Sequence, residues 1–174
     1  LVSGRTDRPA DDPIFALNAE ATARKAKGES IVNATVGALL DDEGKLLVLP
    51  SSARAVREVP EQEWAAYAPI AGTSEFANAV IADLFSTEPE LKASAIAVAT
   101  PGGTGALRHA IANFLEAGQS LLTTSYFWGP YQTLTDEADR KLDTFSMFTA
   151  GGEFNVAALD EKIGEHLRSQ KRVL

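Results

Sequence analysis

Cysteine is absent, and the 174 residues hold only two histidines, one methionine and two tryptophans. Without cysteine there is no disulfide framework, no thiolate metal site and no thiol nucleophile. Positive charge is also scarce: 16 Lys and Arg against 24 Asp and Glu leave a net charge of −8 and a pI near 4.8. An acidic chain lacks the basic footprint that nucleic acid requires. Its densest basic cluster, Arg168, Lys171 and Arg172, reads as a solvated helix end. No helix-turn-helix or basic arm precedes Asp12, so no nucleic-acid partner is expected. No apolar run approaches the about 18 residues of a membrane-spanning helix. The opening residues, from Leu1 to Arg8, lack the apolar centre of a signal peptide. Together these absences predict a soluble, cytoplasmic protein with no membrane partner and no metal site.

What is present is ordinary globular material, 45% apolar and 23% charged, enough for the core of one domain. There is no internal repeat. Residues 1–12 are polar and read as a flexible arm. A helix is expected from Pro13, with Ile14, Leu17 and Ala21 at helical spacing and Gly28 at its end. Residues 31–36 and 46–49 read as short strands of a hairpin-like arm around the 41–45 turn. A helix follows from Ser52 to Val59. Ser74 is expected to cap a helix to Phe85 that buries Phe76, Val80, Ile81 and Leu84. From residue 95 onward, strands alternate with helices. Strands are expected at 95–99, 121–124 and 142–148, and helices from Thr104, after Pro130 and over Val156–Leu167. Val173-Leu174 reads as the start of a further strand. The alternation predicts an α/β architecture with a mostly parallel sheet.

The sharpest local feature is Thr100-Pro101-Gly102-Gly103-Thr104-Gly105-Ala106, set between an apolar strand and an amphipathic helix. Such a helix start presents unpaired N–H groups and the positive end of the macrodipole. Glycines allow a phosphate to come close to them. Arg108 occupies the place of the third glycine of a dinucleotide fingerprint, and no Gly-Lys-Ser/Thr of a P-loop is present. Taken locally, the turn fits either a phosphate cradle or a tight strand-to-helix turn with a threonine cap.

Residues 99–108 resemble the phosphate-cup segment of aspartate and aromatic-amino-acid aminotransferases. Residues 33–45, Asn-Ala-Thr-Val-Gly-Ala-Leu-Leu-Asp-Asp-Glu-Gly-Lys, resemble the family's N-L-G-[IV]-G-x-[YF]-x-D-E-x-G-K. Residues 67–76 resemble its Y-x-P-I-x-G-x-x-x-[FL], and Asp12-Pro13-Ile14 resembles its usual N-terminal start. Four motifs in order are far more specific than any one. The resemblance implies the N-terminal part of a class I/II, fold type I pyridoxal-phosphate-dependent aminotransferase. Residues 13–50 would then contribute to the small domain and the substrate-closing segment, and 51–174 would begin the large, cofactor-binding domain. An amino group would move from an amino acid to a 2-oxo acid, in a homodimer with shared sites.

Residue by residue, the resemblance implies that Gly102, Gly103 and Thr104 line the phosphate cup and that Trp128 stacks on the pyridine ring. Tyr67 would reach the phosphate of the neighbouring subunit, and Val36 and Gly37 would close over substrate. Tyr131 stands where aspartate aminotransferases usually carry a histidine that supports the carboxylate beneath the pyridine nitrogen. A tyrosine can make a similar hydrogen bond, but the departure argues against strict aspartate specificity. None of the seven lysines lies in a context resembling the family's Ser-x-x-Lys loop. The 174 residues alone are therefore expected to be inactive, without the Schiff-base lysine. Singly, Trp128 and Tyr67 would more often be packing residues, Gly37 a turn and His109 an ordinary helix residue. The alternatives are a non-catalytic cofactor- or phosphate-binding and dimerisation module, another lyase of the same fold, or an unrelated phosphate-binding α/β enzyme sharing only the glycine turn.

Overall fold

The computed structural model describes residues 13–174, so the expected arm at 1–12 lies outside the described residues. The chain divides into two compact units, Leu1–Ala66 and Tyr67–Leu174.

In the first unit, α1 (Pro13–Ala26) opens on a proline and ends before Gly28, whose φ of +87° suits a residue without Cβ. The expected hairpin is smaller than its hydrophobic pattern suggested. Residues 31–36 form no ladder; instead Leu40 and Leu46 make one antiparallel bridge. The Asp41 carboxylate organises the turn between them by accepting the N–H groups of Glu43 and Lys45. α2 (Pro50–Glu58) follows, and then a short α3 (Glu61–Ala65) that its acidic sequence did not announce.

The second unit carries the sheet. α4 (Ser74–Leu84) is capped by Thr73, not by Ser74. The Thr73 hydroxyl accepts the Phe76 N–H at 3.2 Å, while Ser74 turns to Glu75. The helix exists as expected but buries none of its apolar residues; Phe76 and Leu84 are exposed. α5 (Pro89–Ser94) starts at a proline, where a missing N–H costs nothing. Residues 95–99 stay extended but are not a sheet strand among the described residues. Ala95, Ala97 and Ala99 turn inward while Ile96 and Val98 face out, keeping the alternation of a strand without its ladder.

α6 (Gly102–Phe114), β1 (Ser120–Thr124), α7 (Pro130–Glu137), β2 (Lys141–Phe145) and α8 (Val156–Gln170) complete the unit. β1 and β2 pair in parallel, Ser120 opposite Lys141 through Thr124 opposite Phe145, with α7 as the crossover. β2 is shorter than its apolar run, because the chain bends after Phe145 and Phe148 bridges antiparallel to Phe154. The Leu122 N–H donates to the Leu174 carbonyl at 2.9 Å. Leu174 therefore begins to pair along β1, as the final apolar pair suggested. The core gathers Ile111 and Leu115 of the α6 end, Leu134 of α7 and Phe145 of β2, all less than 10% exposed.

Candidate functional site

β1 and β2 run in parallel, so their carboxyl ends share one edge, and the loops leaving that edge are where open α/β sheets bind ligands. Residues 125–129, which carry Trp128, leave β1 there and lead straight into α7. Ser125 anchors the loop start by donating its N–H to the Phe145 carbonyl at 2.7 Å, and its hydroxyl accepts the Met147 N–H. Trp128 is 42% exposed. The Tyr131 N–H donates to the Trp128 carbonyl at 2.9 Å, and the two rings meet edge to face with centroids 6.0 Å apart. Trp128 thus packs perpendicular to Tyr131, an arrangement that quadrupoles favour.

The glycine turn forms as the sequence implied, with the helix beginning two residues earlier, at Gly102. Pro101 is the residue before the helix and offers no side-chain cap. The Gly102 N–H is taken by the Thr100 carbonyl and the Gly105 N–H by the Pro101 carbonyl. Helix geometry leaves the N–H groups of Gly103 and Thr104 without an intrahelical acceptor. The Thr100 hydroxyl is diverted to donate to the Gly102 carbonyl at 2.9 Å. Gly102 sits at φ +67°, which favours glycine. A Cβ added at Gly102 or Gly103 would meet no atom within 4 Å, so the space beside these peptides is open. Thr104 is exposed. At this helix start two N–H groups are taken within the turn and those of Gly103 and Thr104 are left over.

The Tyr67 loop is tied to this turn. The Ala99 N–H, one residue before Thr100, donates to the Ala71 carbonyl at 2.9 Å. Gly72, at φ +85°, lies so close that a Cβ there would come within 2.7 Å of the Ala99 Cβ. The loop glycine is required by this approach. Tyr67 itself is fully exposed and its ring packs against nothing in its unit. Val36 is 43% exposed and Gly37 exposed; both belong to the first unit, where the Ala38 N–H donates to the Val36 carbonyl at 2.8 Å and folds the chain tightly around Gly37.

Sequence reasoning missed a polar cluster on the other side of the sheet unit. His166 of α8 is 4% exposed. Its Nε2 lies 3.0 Å from Oδ2 of Asp143 on β2. Lys162 reaches the same oxygen at 3.2 Å. The Gln170 side chain lies against His166 Nδ1, and its amide accepts the Ser120 N–H and donates to the Ser120 carbonyl, copying a strand neighbour. Burial works to raise the Asp143 carboxyl, but the hydrogen bonds from His166 and Lys162 outweigh it and hold it below its usual value. Lys162 is pushed up by Glu165 and Asp143. The sequence signal was an i, i+4 spacing of Lys162, His166 and Gln170 on one helix face; Asp143, 23 residues away from His166, gave no sign of joining it. Among the described residues no cluster of His, Asp or Glu could hold a metal ion, and no helix is long and apolar enough to cross a membrane.

Helices flanking a parallel pair of strands define an α/β chain. The chain belongs to the aminotransferase class I and II family, whose model matches residues 29–174. It is 31% identical over 149 residues to a cytoplasmic aspartate aminotransferase of Schizosaccharomyces pombe, covering 80% of this chain and 36% of that protein. The crystal structure of an aminotransferase from Anaerococcus prevotii superposes with a TM-score of 0.85 at 36% identity, covering 99% of this chain and 42% of that one. An aromatic-amino-acid aminotransferase from Burkholderia pseudomallei, covalently bound to pyridoxal phosphate, shares the fold at 20% identity and a TM-score of 0.70, covering 94% and 42%. The fold is that of the fold type I aminotransferases, and the chain spans about two fifths of the length of these relatives.

Proposed function

We propose that the protein to which this chain belongs is a pyridoxal-phosphate-dependent aminotransferase that moves an amino group from an L-amino acid to a 2-oxo acid. The observation that carries this is the open start of α6 in a chain of the aminotransferase class I and II family. When bound, the cofactor supplies an electron sink for the carbon bearing the amino group.

The chain's own residues have distinct tasks. Gly103 and Thr104 donate their free N–H groups to the phosphate, Gly102 provides the turn that aims them, and the Thr104 hydroxyl adds a donor. Trp128 offers a ring face to the flat cofactor, with Tyr131 packed perpendicular to it. Tyr131 also stands where a hydrogen bond can support the carboxylate beneath the pyridine nitrogen. Tyr67, exposed and unpacked, carries its phenol toward the phosphate of a second copy in a homodimer. Val36 and Gly37 close over the substrate. In this scheme residues 13–50 contribute to the small domain, and 51–174 begin the large domain. The anchoring lysine comes from the part of the relatives that this chain does not cover. A cytoplasmic location follows the Schizosaccharomyces pombe relative.

The test is the full-length protein with pyridoxal phosphate, offered aspartate, tyrosine and other amino acids, with 2-oxoglutarate as acceptor. Turnover accompanied by a shift in cofactor absorbance on adding donor is expected. Cofactor binding without turnover of any donor would instead favour a non-catalytic module.

A further inference from the structure

Residues 31–34 lead into a bend at Thr35 and Val36 in the first unit, and burial alternates along 31–36. Ile31, Asn33 and Thr35 are half-buried, whereas Val32, Ala34 and Val36 face out. Ile31 and Thr35 line a depression with Leu17 and Ala21 of α1, so the inward side of this segment lies on that helix. Asn18, on the same helix, is the polar contact in this packing. Its Oδ1 accepts from the Asn33 side-chain amide at 2.8 Å and lies 3.3 Å from the Thr35 hydroxyl. The other end of the Asn33 amide is equally committed. Asn33 Oδ1 accepts the Thr35 N–H at 3.2 Å and the Thr35 hydroxyl at 2.7 Å. A hydroxyl has one proton, and the shorter contact takes it. The bend at Thr35 and Val36 is thus written by an amide whose orientation Asn18 fixes. The tight turn around Gly37 begins directly after it.

We propose that Asn18 is a positioning residue for the amino-acid substrate: by fixing the Asn33 amide it sets the bend from which Val36 and Gly37 close. This rests on the aminotransferase function proposed above. A short polar clasp suits a closing segment better than an apolar anchor. It gives one geometry when made, and each neutral hydrogen bond is worth little enough to break and reform. The interaction uses Asn18 only as an acceptor. Aspartate at position 18 keeps that acceptor, and leucine, of similar size, does not.

The experiment uses the full-length enzyme with cofactor and compares Asn18→Leu with Asn18→Asp. Asn18→Leu is expected to raise KM for the amino acid about fivefold to tenfold, with kcat and pyridoxal phosphate affinity held. Hydrogen exchange of the amides at 35–38 should quicken in the same variant without any substrate present. Asn18→Asp should restore both. Unchanged KM and unchanged exchange in Asn18→Leu overturn the proposal, as does Asn18→Asp behaving like Asn18→Leu, or a matching loss of cofactor affinity. A wild-type enzyme that transaminates nothing sinks the function proposed above, and the substrate role of Asn18 with it. The exchange result still decides whether Asn18 holds the bend.

Discussion

Arg140 concentrates several structural tasks in one side chain. It lies just before β2, yet its Nε and Nη2 donate to the Leu115 carbonyl at 3.1 and 2.6 Å, and Nη2 also reaches the Ala112 carbonyl at 3.3 Å. Nη1 donates to the Ala138 carbonyl. The last carbonyls of a helix have no partner of their own, and a cation there also meets the negative end of the dipole. Arg140→Ala should therefore lower the unfolding free energy of the full-length protein by about 2 kcal/mol in urea titration. Arg140→Lys should recover only part of it, since an ammonium cannot fork across two chain segments; full recovery would contradict the geometry. Asp143 makes a pH-dependent contribution. Its carboxyl is depressed in the folded state, against an ordinary value of 3.8. A depressed carboxyl stabilises the fold above its unfolded pKa and ceases to as pH falls through the folded one. The stability gap between wild type and Asp143→Asn should accordingly be full near neutrality and narrow from about pH 5 to about pH 2. A gap independent of pH would show that the carboxylate charge is not what His166 and Lys162 hold. Neither cluster was legible in the sequence. Arg140 and Leu115 are joined only by the fold, as are His166 and Asp143.

At the scale of elements, legibility followed whether a segment's partners lie nearby in the chain. α6, α7 and α8 and the two strands they flank appeared within a few residues of their expected bounds, because their apolar periods, prolines and glycines all point the same way. Residues 95–99 carried as strong an apolar signal and still acquired no ladder among the described residues. A strand is a relation between two segments, and composition alone cannot supply the second. The hairpin at 31–49 failed for a related reason. Its first half found the Asn18 side chain of α1 in place of strand 46–49. The start of α6 is the element on which function turns. If its free N–H groups and the Thr104 hydroxyl hold the cofactor phosphate, Thr104→Val should weaken pyridoxal phosphate binding about threefold to tenfold in the full-length protein. Affinity for pyridoxal without phosphate should not change. Equal weakening of both would mean that Thr104 acts on the ring or on the fold, and would remove α6 from the phosphate site.

For the chain as a whole, the weight of exposed apolar surface bears on what residues 1–174 can do alone. Tyr67, Ile70 and Ile96 are 90% exposed or more, and Val98, Phe114 and Trp64 are more than half exposed. Among the described residues, buried apolar side chains are few, and they sit in the second unit around α6, α7 and β2. Isolated exposed leucines need no explanation, but large aromatic and β-branched residues left open along an extended segment mark surface that other protein covers. None of the seven lysines has the sequence context of the anchoring loop. A polypeptide of residues 1–174 should therefore self-associate, bind an apolar dye and transaminate no amino acid when supplied with pyridoxal phosphate. The full-length protein should instead form a discrete homodimer, bind no apolar dye and transaminate. Sedimentation, dye fluorescence and a coupled assay on both proteins decide it. A monodisperse 18.5 kDa species with a cooperative thermal transition would show that these apolar faces need no cover. Turnover by that species would place the reactive lysine within the sequence, against every local context read from it.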